Sequence, residues 1–187
     1  MVDMEVYMKK SGNERISEKT LKITTLGILS ALALALSFLE SLIPPIPGLP
    51  PGAKPGLANI VTMFTAGSFG FGSAMAVTIV KSIFAGTRGI TAFFMSLSGG
   101  TLSTVTMCAL IKKKNTPFGL VGISIVSAIA HNAGQLIVAC IIAGTVKLAV
   151  YYGPLLVVFG IVAGTVTGTI LSILLPVIEK QTGKWKS

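Results

Sequence analysis

A chain of 187 residues that is 52% hydrophobic and only 11% charged, with mean hydropathy +0.84, has the length of one domain but is too apolar for a water-soluble one. Lys and Arg number 15 against six acids, yet they stand at the two ends and in short loops between apolar runs, with no aromatic-interleaved basic face. The charge therefore bears on membrane topology and excludes a nucleic-acid partner.

Residues 1–22 read as a polar cytoplasmic N-terminal tail. The stretch "ALALA" at 31–35 mimics the small-residue spacing of a signal-peptidase site, but the apolar run continues to Ile43, which makes it an uncleaved first span over 23–43. The segment 44–56, "PPIPGLPPGAKPG", holds six prolines and forms a stiff outer loop. Next, 57–85 is broken by "GSFGFGS" at 67–73 into two short helices joined by a tight turn. Apolar runs at 91–111, 118–144 and 154–176 complete a count of six, each of the last three long enough to cross about 30 Å of hydrocarbon. Residues 177–187 are a basic C-terminal tail.

Six spans place Lys9, Lys10, Arg15, Lys19, Lys22, Lys112, Lys113, Lys114, Lys180, Lys184 and Lys186 on one side. The opposite side receives only Lys54, Arg88 and Lys147. By the positive-inside bias both termini are cytoplasmic and the protein is a multi-pass resident of the cell membrane. Five spans would move "KKK" at 112–114 outside, which is why six are preferred. The fold class expected is thus an all-α integral membrane protein with a six-helix membrane domain over 23–176.

The run "AIAHNAGQLIV" at 128–138 carries the sole histidine. At about 100° per residue, His131, Asn132 and Gln135 share less than half the helix circumference with Ser124 and Ser127. Unpaired polar groups in hydrocarbon cost several kcal/mol, so this face meets other helices, water or a ligand. Interhelical hydrogen bonding is one use of it. Three strongly polar groups within five residues exceed what such bonding needs, which favours a ligand-lining role.

Other polar residues fall on the same outward half: Glu40 late in span one, Lys54 in the proline loop, Asn59 at the start of span two, Lys81 late in span three and Arg88 in the outer loop. No acid intervenes between Glu40 and Glu179, so the lining is cationic and amide-rich and suits an anionic or strongly hydrogen-bonding small molecule. Gly160, Gly164 and Gly168 recur every four residues, as do Gly27, Ala31 and Ala35, and such spacing lets helix backbones approach closely.

Enzyme chemistry has little to stand on. One His, two distant Cys and a carboxylate-free middle cannot assemble a usual metal site, and no GxxxxGK[ST] loop is present to hold a nucleotide. No catalytic residue, cofactor or metal is expected.

The stretches "LESLIPPIPG" (39–48), "KPGLANIVT" (54–62), "SLSGGTLS" (96–103) and "AHNAGQLIVA" (130–139) together resemble the Gx transporter family, often labelled heptaprenyl diphosphate synthase component I. That family is similar to the S components of energy-coupling factor transporters. The resemblance implies a six-helix bundle that captures a vitamin-like solute and associates with a membrane coupling subunit and two ATPases. It also implies a partner-contact surface on span one, matched by Ala31 and Ala35. Lys81 stands where the family often has arginine, keeping the charge but not the planar fork. The synthase label implies instead a membrane partner of a prenyl synthase. Prenyl elongation resembles a reaction run on aspartate-rich motifs, and no Asp follows Asp3, so such a subunit would be non-catalytic.

Overall fold

A computed structural model describes residues 18–42, 56–113 and 119–182, and these form six α-helices. They are α1 (Glu18–Leu42), α2 (Asn59–Phe69), α3 (Phe71–Gly86), α4 (Ile90–Lys112), α5 (Leu120–Ala143) and α6 (Lys147–Thr182). Helices α1, α4, α5 and α6 are each long and apolar enough to cross a membrane. The protein is a multi-pass membrane protein.

The break expected in 57–85 falls at Gly70. Its φ of +81° belongs to a region that residues with a Cβ rarely enter, and the turn is closed by Gly70 N–H to Ala66 O and Ala74 N–H to Gly70 O, both at 3.1 Å. At 1.5 Å per residue, the 11 residues of α2 rise only about 16 Å, roughly half a bilayer. So α2 is a half-length helix, and its polar N-terminal end is buried by α1, α3 and α4 rather than by lipid.

The last helix differs from its expected limits of 154–176. It begins at Lys147 and continues to Thr182, carrying Pro154 and Pro176 inside it. Proline at 154 removes one backbone donor without ending the helix, as membrane helices tolerate, and the turn that precedes the helix lies earlier, at Gly144–Val146.

Exposure is inverted relative to a soluble protein. Large apolar side chains such as Ile28, Phe38, Ile83, Ile141 and Val162 face outward, whereas Thr62, Thr78, Ser82, Ser103 and Ser127 are buried. Hydrocarbon cannot satisfy a hydroxyl, so polar residues turn inward and bond across helices: Thr78 with Thr104 at 2.8 Å (α3 to α4), Ser98 Oγ to Gly134 O at 2.9 Å (α4 to α5), and Ser124 with Thr167 at 2.7 Å (α5 to α6). Apolar packing closes the opposite half around Met63, Met107, Ile123 and Leu171.

Small residues set how near the helices come. A methyl on Gly99 would stand 2.7 Å from His131 O, and one on Gly134 would stand 2.8 Å from Ser98 O, so α4 and α5 touch backbone to backbone. The Gly160, Gly164 and Gly168 row serves the α5 to α6 seam, where it meets Ile129, Ile125 and Val121. Gly27, Ala31 and Ala35 behave differently: all three are exposed on α1, and a methyl on Gly27 would meet nothing within 4 Å.

Candidate functional site

Helices α1, α3, α4 and α5 converge with the start of α2 around a cavity of about 260 Å³. Its polar walls are Ser37 and Glu40 from α1, Asn59 from α2, Lys81 from α3, Ser96 from α4, and His131 and Gln135 from α5, with Arg88 at the rim. The helical period explains the groupings: Ser37 and Glu40 are three apart, Ala92 and Ser96 four apart, His131 and Gln135 four apart, so each helix turns one narrow stripe to the cavity.

Lys81 and Glu40 are each only 5% exposed, an unusual placement for ionisable groups within an apolar bundle. Lys81 Nζ donates to Asn59 Oδ1 at 2.8 Å. Glu40 Oε1 accepts the backbone N–H of Ala58 at 3.3 Å and so tethers the entry to α2 against α1. Arg88 sits in the short turn between α3 and α4, where backbone bonds Thr87 N–H to Phe84 O and Gly89 N–H to Gly86 O fix its position over the mouth.

On α5, Gln135 Nε2 lies 3.0 Å from His131 Nε2. The amide nitrogen can only donate, so the imidazole Nε2 accepts and the proton of the neutral ring belongs to Nδ1. Both side chains are buried, and Gln135 Oε1 and His131 Nδ1 lack a hydrogen bond of ordinary geometry. An unsatisfied buried polar atom costs about 1–3 kcal/mol, so this pair is poised to gain a partner. Gly99 makes room for it: a methyl there would stand 2.9 Å from Gln135 Cγ and 3.1 Å from His131 Cε1.

Below the cavity lies a void of about 10 Å³ that shares Gly56 and Asn59 with it and is bordered by Ser103, Ser124, Ser127 and Thr167. Ser103 Oγ and Ser127 Oγ lack hydrogen-bond partners there, and the void is about the size of one water. A larger groove of about 550 Å³ runs between α1, α2 and α6, but Leu29, Leu32, Phe64 and Leu171 make it apolar. It shares no residue with the polar cavity, so convergence of chemistry rather than size singles out the smaller space. Among the described residues no three His, Cys, Asp or Glu side chains converge as a metal site would require.

The sequence pattern of heptaprenyl diphosphate synthase component I matches residues 29–174, which spans every wall of this cavity. The chain belongs to that family. Among solved structures, an S component of a bacterial ECF transporter aligns with a TM-score of 0.55 at 22% identity, covering 88% of this chain and 96% of that one, so the two share a fold. No curated protein matches the chain.

Within this member of the component I family, the structure gathers His131, Gln135, Asn59, Lys81 and Glu40 at one cavity, as their shared outward half predicts. Asn132 departs from that expectation. Its position, about 100° from His131, turns it toward α6, where Nδ2 donates to Leu156 O at 2.8 Å, and it is not part of the cavity wall. Lys54 lies outside the described residues. The residues missed by pattern alone are Ser37, Ser96 and Met95; the signal for Ser37 was its one-turn spacing from Glu40, and Ser96 lies in the "SLSGGTLS" stretch.

Proposed function

We propose that this protein is the membrane-embedded, solute-binding component of a small-molecule transporter in the cell membrane, energised by partner chains. The observation that supports this most is the polar cavity itself. A buried Lys, a buried Glu and a His–Gln pair whose amide oxygen is unsatisfied face one space inside a lipid-exposed bundle, an arrangement too unfavourable to serve packing alone. The fold shared with an ECF S component agrees with such a role.

In this reading His131 and Gln135 orient the solute by hydrogen bonds, Lys81 and Arg88 supply positive charge, and Asn59 holds the Lys81 ammonium in place. Lys54 is proposed as a further cationic residue for the solute. The exposed Ala31 and Ala35 stripe on α1 is the contact for a membrane coupling subunit, whose associated ATPases supply the energy. The chain itself is not an enzyme. Native mass spectrometry of gently extracted protein tests this: a discrete small molecule is expected on the wild type and absent from a Gln135→Ala variant. A folded protein that never carries a small molecule sinks the reading.

The family's description favours a second reading, a non-catalytic membrane subunit of a prenyl diphosphate synthase. Lysine and arginine at the cavity suit a diphosphate. Co-purification separates the two: a coupling subunit with ATPases supports transport, whereas a soluble aspartate-rich synthase supports the subunit.

A further inference from the structure

Glu40 and Lys81 line the same cavity and are equally buried, yet neither is ion-paired to the other. Among the described residues no Glu40 carboxylate oxygen lies within 4 Å of the Lys81 ammonium or of the Arg88 guanidinium; neutral groups meet each of them, the backbone N–H groups of Ala58 and Leu57 at Glu40 and Asn59 Oδ1 at Lys81. Opposite charges in a low-dielectric space attract strongly, and a bundle evolved only for packing would close them into a contact pair. Here the two line one space of about 260 Å³ from different helices, α1 and α3, in company with Ser37, Ser96, His131 and Gln135.

Such a space discriminates by charge pattern. A simple anion gains from Lys81 and Arg88 but is repelled by Glu40, and a simple cation meets the reverse. A molecule with an anionic group at one end and a basic group at the other satisfies both walls at once. We propose that the solute of this cavity is zwitterionic: a carboxylate- or phosphate-type group faces Lys81 and Arg88, and a protonated amine or cationic heterocycle faces Glu40. The unsatisfied Gln135 Oε1 then serves a donor on the body of the solute. A volume of about 260 Å³ suits the binding of a small metabolite. This rests on the reading of the cavity as a solute site and narrows the anionic class that net charge alone suggests.

The full-length protein, in lipid nanodiscs, is incubated with the protein-free small-molecule fraction of a bacterial lysate and re-isolated. Retained compounds are identified by mass spectrometry for wild type, Glu40→Gln and Lys81→Met. Glutamine keeps an acceptor for Ala58 N–H and removes only the charge, and a thermal melt checks that each variant is folded. The expected result is a compound with both an anionic and a basic group. Glu40→Gln should bind it about thirtyfold or more weaker, as removal of one buried charge partner does, while its N-acylated, purely anionic analogue is bound better by Glu40→Gln than by wild type. A retained anion with no basic group, or an affinity that Glu40→Gln leaves unchanged, overturns the zwitterion assignment and leaves the transporter reading standing. Wild type that is folded and retains nothing overturns both.

Discussion

Replacing Gly134 by alanine probes the contact on which the cavity rests. The new methyl would stand 2.8 Å from both Gly99 Cα and Ser98 O and 2.9 Å from Gly99 N, all backbone atoms, so no side-chain rotation relieves the clash. Ordinary carbon contacts begin near about 3.5 Å, so α4 must retreat by roughly 0.7 Å. Overpacking of this kind costs about 1–3 kcal/mol, and stretching the Ser98 Oγ to Gly134 O bond from 2.9 Å removes about a further 1 kcal/mol. Alanine's better helix propensity returns about 1 kcal/mol, leaving a net loss of about 1–3 kcal/mol. For a chain of this size each kcal/mol lowers the melting temperature by roughly 2–4 °C. The assay is thermal unfolding followed with a thiol-reactive dye in a Cys140→Ser background, since Cys140 is free and partly exposed whereas Cys108 is free and only 6% exposed until the bundle opens. Gly27→Ala is the control, because nothing lies within 4 Å of its methyl and only the propensity gain remains. Gly134→Ala melting at or above Gly27→Ala would refute the backbone-contact account of the α4 to α5 crossing.

Asn132→Leu removes the side-chain donor to Leu156 O, which keeps its place in the α6 ladder, so a stability loss of about 0.5–1.5 kcal/mol is expected with solute retention intact. Gln135→Leu should do the opposite in the same two assays, keeping the melting temperature and losing the solute. Lys81→Met removes a charged hydrogen bond worth about 1.5–3 kcal/mol and should weaken solute binding roughly tenfold to a hundredfold in a titration of the captured compound. Ala31→Trp, on an exposed face of α1, should leave both stability and solute retention unchanged while removing co-purifying chains from a pull-down; unchanged co-purification would place the partner contact elsewhere.

Much of this architecture is legible from one-dimensional pattern, because lipid imposes a length and a polarity rule on every crossing segment. Apolar runs of about 20 residues located α4 and α5 closely, the C-terminal end of α1, and the middle of α6, and the glycine-rich break at 67–73 located the α2 to α3 turn. The start of α6 was less legible, because Pro154 resembles a helix boundary and only the Gly144–Val146 turn shows that the helix begins earlier. For the site, the helical period put His131 and Gln135 on one face, and the rarity of charge in hydrocarbon marked Glu40 and Lys81.

Asn132 shows where that logic stops. At 100° per residue it falls in the same half of the helix as His131 and Gln135, yet a neighbouring carbonyl on α6 claims it. Periodicity says which residues of one helix point together; it does not say which other helix stands opposite. Hydropathy and helical period were enough for the membrane solvent, the six helices among the described residues and the polar stripe on α5. That Glu40 and Lys81, 41 positions apart, line one cavity without touching depends on the spacing between helices, which close contacts such as Gly99 with Gly134 set between residues distant along the chain.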